Sequence, residues 1–207
     1  MSDDDDATLV ERAQEGADDA FGSLVLRYQD RVYRLVRRIV GDAEAEDALQ
    51  ETFLSAWRAL PRFKGDAAFS TWIYRIATNA ALMRLRKRRP DVVSLDAPKR
   101  DAEGEETSIA QDIRDWSATP DEELVNEETR EAMERAIGEL PHDWRVAFLL
   151  RDVEEMSNID AAATLELSVP AFKARVHRAR LFLRDRLDRH FGLARGRTGE
   201  ADPRSSA

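Results

Sequence analysis

Cysteine is absent from the 207 residues. That excludes disulfides, thiolate metal sites and a cysteine nucleophile, and it fits a reducing compartment. Histidine is nearly absent too: His142, His177 and His190 lie far apart, so neither a catalytic base cluster nor an imidazole metal site is expected. No phosphate-cradling glycine loop occurs. No apolar run approaches the ~20 residues of a membrane span. Nothing alternates with a period of two, so no strands are expected. The opening MSDDDDATLV is acidic where a secretory signal would be basic and then apolar. These absences point to a cytoplasmic protein that is not an enzyme, holds no metal and needs no cofactor.

What is present is charge, in blocks. Hydrophobic residues make up 43% and charged residues 35%, enough for genuine cores beneath a very polar surface. The formal net charge of −9 looks wrong for a nucleic-acid binder, but distribution matters more than the sum. Arg84, Arg86, Lys87, Arg88 and Arg89 form one basic block, and positions 173–189 form a second, diluted by Asp185 and Asp188. Acid gathers elsewhere, at 3–6, 42–51 and 101–128. Two basic poles kept apart by acid suit a chain with two surfaces that touch nucleic acid.

The periodicity predicts an all-α chain. Helices are expected over 7–14, with Asp6 or Thr8 as cap, and over 18–40, 43–60 and 67–89. Gly41 and Pro61 serve as stops, and Pro90 ends the fourth helix. From 91 to 120 the pattern dissolves into Asp, Glu, Ser and Thr, which reads as a flexible linker. Helical pattern resumes at Thr119-Pro120, and Pro141 opens a further helix. The expected organisation is a helical domain at 1–90, an acidic linker at 91–120, a second helical domain at 121–192 and a disordered tail at 193–207.

Within the second domain, 157–189 reads as two helices with a tight connection. Ser157 caps the first, whose apolar face is expected from Ile159, Ala162, Ala163 and Leu165. Ser168 restarts the pattern, with Pro170 in the first turn. Phe172, Val176, Ala179, Leu183 and Leu187 make one apolar stripe, while Lys173, Arg175, Arg178 and Arg180 share the remaining surface. A short helix, a tight turn and a basic second helix describe the helix-turn-helix DNA reader. A basic amphipathic helix is equally compatible with a solvated or protein-binding face, and only the rest of the chain weighs against that.

In the first domain, Phe63, Phe69, Trp72 and Tyr74 interleave with Lys64, Arg75 and Arg84. Aromatic rings stack on unpaired bases while cations follow phosphates, so the combination suggests partly melted nucleic acid. Most of these rings are equally expected in a helical core. Asn79 stands one turn after Arg75, where it could reach a base or the backbone. Asp47, Gln50, Glu51, Leu54 and Trp57 lie along one side of the third helix as a mixed polar and apolar strip. No His, Ser or Lys converges on it, so the strip reads as protein-binding rather than catalytic.

Two blocks carry a resemblance to a known family. DAEAEDALQETFLSAWRALPRFKGDAAFSTWIYRIATNAALMRLRKRR, from Asp42, and ELPHDWRVAFLLRDVEEMSNIDAAATLELSVPAFKARVHRARLFLRDRL, from Glu139, resemble the second and fourth conserved regions of bacterial sigma factors of the extracytoplasmic-function group. The resemblance implies two helical domains that bind core RNA polymerase and direct it to promoters. It places Asp47, Gln50, Glu51, Leu54 and Trp57 against the clamp helices of the largest polymerase subunit, with the polymerase flap region as a further contact. Phe63, Lys64, Phe69, Trp72, Arg75 and Asn79 fall where the family opens and reads the minus-ten element, with Arg84, Arg86, Lys87 and Arg88 on nearby phosphates. Ser168, Lys173, Ala174, Arg175, His177 and Arg178 fall where the fourth region reads the minus-thirty-five element. An anti-sigma protein is implied as a further partner.

The chain departs from the pattern where the reader's turn often has Gly and here has Glu166, and again at Glu155. Ala171 offers no hydroxyl to phosphate, and Ala174 replaces a frequent Ser. Two other readings compete with promoter selection. A stand-alone helix-turn-helix regulator would leave the strip at Asp47 to Trp57 unexplained, and a protein-only adaptor would leave the basic block without a role.

Overall fold

A computed structural model describes residues 5–88 and 125–198, with side chains described for 5–87 and 129–189. The expected linker at 91–120, Arg89 and the run Asp3, Asp4 lie outside the described residues, as do the side chain of Arg88 and the last residues of the expected tail. Among the described residues every regular element is helical.

The N-terminal unit is a bundle of four helices. Helix α1, Asp6–Gln14, is capped by Asp5, whose carboxylate accepts the Thr8 N–H at 2.8 Å. The cap thus stands one residue earlier than the sequence suggests, because Asp6 is turned to Arg27 and Tyr28. Helix α2, Asp18–Val40, is the bundle's spine: Leu24, Tyr28, Val32, Leu35, Val36 and Ile39 recur at three-four spacing and are all buried. Gly41, at φ 88°, turns the chain directly into α3, Asp42–Ala59. The acids at the start of α3 complement its dipole. Leu60–Arg62 makes one 3₁₀ turn around Pro61, and a loop leads to α4, Phe69–Arg88. Phe69, Ile73, Tyr74, Ala77 and Ala81 bury one side of α4 against α2 and α3.

The C-terminal unit is built on its last helix. Helix α5, Val125–Glu139, and α6, His142–Phe148, both pack on α8, Val169–Thr198. Between α6 and α7, Asn158–Thr164, the chain widens into a π turn at Leu149–Val153. There the Glu154 N–H reaches back five residues to the Leu149 carbonyl, at 2.9 Å. The stripe Phe172, Val176, Ala179, Leu183 and Leu187 is buried as its spacing requires. Burial of one such large side chain contributes roughly 1.5–3 kcal/mol. Helix α8 runs to Thr198, past the boundary expected at 192, so the first part of the expected tail is helical.

The two units touch. Arg38 of α2 pairs with Glu134 of α5 through two hydrogen bonds, and Arg145 of α6 donates to the Arg38 carbonyl at 3.5 Å. The Arg38 guanidinium holds the Glu134 carboxyl below its usual range. Helix α7 lies against α4. The Glu154 carboxyl faces Tyr74, and burial, followed by that carboxylate, raises the Tyr74 phenol well above its ordinary value.

Candidate promoter and polymerase surfaces

The loop between Arg62 and Phe69 is the centre of the first candidate surface. Phe63 closes the 3₁₀ turn, its N–H donating to the Leu60 carbonyl at 3.0 Å. Its ring packs on Trp72 at 4.8 Å and on Phe69 at 6.2 Å. Phe69 in turn meets Trp72 at 5.5 Å and Tyr28 at 5.3 Å. The placement of Phe69 at the minus-ten element, which the resemblance implies, needs correction. Phe69 is 4% exposed and Tyr74 is 2% exposed, so both are hydrophobic core; their flat sides are already covered by protein. Phe63 and Trp72 are half-buried. Lys64, Arg75 and Asn79 are exposed.

Beside this loop lies an open groove of about 760 Å³. One wall is α1, with Asp5, Asp6 and Glu11; the other is the loop, with Phe63, Lys64 and Phe69. Arg27 also lines the groove and neutralises Asp6, while Asp5 caps α1, so the apolar wall with Lys64 beside it suits the face of a base with its phosphate at the rim.

Along α4 the exposed residues Arg75, Asn79, Met83, Arg86 and Lys87 recur at three-four spacing and share one face. Met83 is 60% exposed, and nothing in the apolar periodicity marks it as a surface residue. Arg84 departs from its expected role. It reaches Glu44 at 2.9 Å and Asp47 at 3.1 Å, tying α4 to α3. A half-buried cation already shared by two carboxylates is a strut between helices rather than a phosphate ligand. The side chain of Arg88 lies outside those described.

The strip on α3 is laid out as its spacing implies. Gln50 and Glu51 are exposed, Leu54 is 44% exposed and Trp57 41%. Trp57 leans on Phe21 of α2 at 4.8 Å, which holds the indole without burying it. Exposed Leu and Trp beside carboxylates form an apolar centre with an acidic rim, the anatomy of a protein-binding patch. Asp47 lies on the strip, but its carboxylate is partly engaged by Arg84.

On the second candidate surface Ser157 caps α7 by accepting the Asp160 N–H at 3.0 Å. The apolar face expected for α7 is rotated, however. Ile159 is 72% exposed and Ala163 is exposed, whereas Ala161, Ala162, Thr164 and Leu165 are buried. The short helix buries Ala161 and Ala162 where it packs on α8 and α4, and turns Ile159 and Ala163 outward. Glu166 then sits at φ 55°, and the Leu167 N–H returns to the Ala162 carbonyl at 2.9 Å. Ser168 caps α8 by accepting the Ala171 N–H at 3.3 Å.

Beyond Pro170, Lys173, Ala174, His177 and Arg178 are exposed on one face of α8. Arg175 is not part of that face. It pairs with Asp143 of α6 at 3.5 Å and its side chain is 18% exposed, so it pins α8 to α6. Arg180 is likewise spent on Asp152, at 2.9 and 2.5 Å. The same fork keeps the Arg180 guanidinium firmly protonated.

Sequence reasoning missed the whole contribution of α1. Asp5, Asp6 and Glu11 line the groove, and Gln14 bonds to the loop. No local signal marks them, since the contacts bridge 46 and 49 residues. Among the described residues no cluster could hold a metal ion, and no helix is long and apolar enough to cross a membrane.

Comparisons with known proteins agree with this layout. The family model of sigma-70 region 2 matches residues 24–90, and that of sigma-70 region 4 matches residues 130–183. The chain is 41% identical over 177 residues to the ECF RNA polymerase sigma-E factor of Escherichia coli, covering 84% of this chain and 90% of the relative. It is 40% identical over 183 residues to the RNA polymerase sigma-H factor of Pseudomonas aeruginosa, covering 87% and 92%. Its fold is similar to that of CnrH, solved in complex with the cytosolic domain of CnrY, at a TM-score of 0.57 and 26% identity over 89% of this chain and 98% of that one. With two sigma-70 regions in order and relatives of this identity along most of its length, the chain belongs to the extracytoplasmic-function group of bacterial sigma factors.

Proposed function

We propose that the two units divide the work of promoter selection, with 1–90 binding core polymerase and the minus-ten element and 121–192 binding the minus-thirty-five element. The observation that carries this reading is the placement of two separate exposed basic faces. One runs from Lys64 along Arg75, Asn79 and Lys87, and the other holds Lys173, His177 and Arg178. Each is backed by a helix whose opposite side is hydrophobic core. The strip at Gln50, Glu51, Leu54 and Trp57 lies on a third helix face and is the natural contact for the polymerase clamp helices.

The mechanism is binding rather than bond making, so the chain is not an enzyme; it acts on cytoplasmic DNA. Phosphate contacts from the basic faces supply affinity and salt dependence, and base contacts supply choice. Two sites engaged by one chain add avidity and make promoter spacing part of the recognition. In the minus-ten region the half-buried Phe63 and Trp72 offer ring edges and partial faces to an unpaired base, and Lys64 and Arg75 hold the flanking phosphates. Control by an anti-sigma protein, which membership of this sigma-factor group implies, is part of the proposal.

Run-off transcription of genomic fragments with core RNA polymerase, with and without this chain, tests the function. Discrete new transcripts that require both components are expected. A Leu54→Glu variant, which charges the centre of the strip, is expected to lose core polymerase at least ~10-fold while still folding. Duplex DNA binding with neither transcripts nor polymerase binding would instead establish a stand-alone regulator.

A further inference from the structure

Helix α1 lies outside the region matched by the sigma-70 region 2 model, which begins at residue 24, yet it is bonded to the loop that carries Phe63 and Lys64. The bond is made by one side chain. The Gln14 amide nitrogen donates to the Leu60 carbonyl at 2.8 Å and to the Phe63 carbonyl at 2.8 Å. Both amide protons are thereby used, and they bracket the turn from which Phe63 projects. The Leu60 carbonyl also accepts the Phe63 N–H at 3.0 Å, so the same oxygen closes the 3₁₀ turn and takes the glutamine.

Gln14 is well placed to act as a fixed point. It ends α1, whose Leu9, Val10 and Ala13 are buried in the bundle. At the other end Asp6 is held by Arg27 at 2.6 Å and by the Tyr28 hydroxyl. Tyr28 itself packs on Phe69. The loop is therefore gripped from two sides, by the Phe69 and Trp72 rings of α4 and by an amide from α1. Past Phe63 no regular element supports it until Phe69, and Gly65 at φ 74° adds a hinge-like turn. Without the amide, the Leu60 carbonyl keeps only the Phe63 N–H, and the Phe63 carbonyl loses the bond that ties it to α1.

We infer that Gln14 is a positioning residue for minus-ten recognition: it preorganises the 60–64 turn so that Phe63 and Lys64 meet the unpaired strand without first paying to order the loop. The inference rests on the proposed role of that loop. A loop ordered before binding retains affinity that a mobile one spends on ordering. Gln14 touches no DNA in this scheme and its exposed position makes it dispensable for the hydrophobic core.

The test uses the full chain, its core RNA polymerase and a promoter recovered by run-off transcription. Gln14→Met keeps the length and removes both donors. Open-complex formation is expected to fall about 5- to 30-fold, the worth of one to two net hydrogen bonds. Discrimination between the promoter and versions with single minus-ten changes is expected to narrow. Affinity for core polymerase is expected to stay at the parent value and the melting temperature to fall by no more than a few degrees, as loosening of one turn allows, whereas a merely structural glutamine would lower stability without narrowing discrimination. Gln14→Lys, which restores a donor near both carbonyls, should recover most of the loss. Unchanged opening and discrimination in Gln14→Met would overturn the inference, as would a loss matched by equal falls in polymerase affinity and thermal stability. Lys64→Ala and Arg75→Ala run in parallel separate the two levels. If they impair opening while Gln14→Met does not, only the positioning role fails; if they too are silent, the role of the loop fails and takes this inference with it.

Discussion

The N-terminal bundle and the C-terminal α8 unit turn their tight corners with different residues. Among the described residues, the first uses glycine wherever φ is positive, at Gly16, Gly41 and Gly65. The second uses glutamate, at Glu155 with φ 56° and Glu166 with φ 55°. The reading surfaces contrast in the same way. On α8 the exposed row Lys173, Ala174, His177 and Arg178 is simply the reverse side of a buried stripe, so one helix supplies both. The proposed minus-ten surface is assembled from α1, a 3₁₀ turn, a loop and α4, and several of its aromatic and basic residues are consumed in holding it together. A reader built on one helix tolerates change on its exposed side and strain in its turn. A reader built from four pieces does not.

The sharpest way to break the contrast is to substitute each surface and watch stability. Lys173→Glu with Arg178→Glu is expected to abolish promoter use while leaving the melting temperature and polymerase affinity in place, since neither side chain belongs to the core. Phe63→Ala, on the half-buried ring of the proposed minus-ten surface, is expected to cost about 1–3 kcal/mol of stability together with promoter opening. Denaturant unfolding of the two variants beside run-off assays decides it. Equal destabilisation of both would erase the distinction.

Acid separates the units next. All three histidines lie in the C-terminal half, and His142 is pushed down to about 4, first by burial and then by Arg145. The folded state thus prefers the neutral ring. Its contribution is complete above the ordinary value of 6.5 and is lost as pH falls from there toward 4. The loss is on the order of 2–3 kcal/mol. His142→Gln should flatten the acid limb of the stability curve, measured by urea midpoints between neutral pH and pH 4. Parallel curves for the two proteins would show that the ring does not couple folding to protons. Glu154 runs the other way. Burial raises its carboxyl, so the folded state favours its protonated form, and its contribution is lost as pH rises. The informative quantity is therefore the difference between parent and variant.

The smallest effect concerns the strained corner. Glu166→Gly relieves a left-handed backbone at some cost in unfolded-chain entropy, for a net gain of about 0.5–1 kcal/mol. A thermal melt reads it directly. A loss of stability on that change would mean that the glutamate side chain contributes more than its backbone costs.

Most of the helices were legible in the chain. The stripes Leu24 to Ile39 and Phe172 to Leu187 are long and regular, and burial follows their period. The glutamates at the two positive-φ turns were also legible, because left-handed corners are rarely filled by side chains and both stood where glycine is common in the resemblance. Ile159 was misread because a seven-residue helix carries too few turns for periodicity to choose a face. Its packing on α8 and α4 chose Ala161 and Ala162 instead.

The order of charges and apolar residues thus determined by itself the all-helical class, the cap at Ser157, the buried stripe of α8 and the strip on α3. Tertiary structure decided which cations are struts. Arg84 serves Glu44 and Asp47, Arg175 serves Asp143, and Arg180 serves Asp152. It also decided which aromatics are core and that Gln14 reaches the loop after Leu60. The physical reason is range. Periodicity along a helix is set by neighbours three or four residues away, whereas the partner of a cation, a ring or an amide is set by whatever folding brings across the bundle.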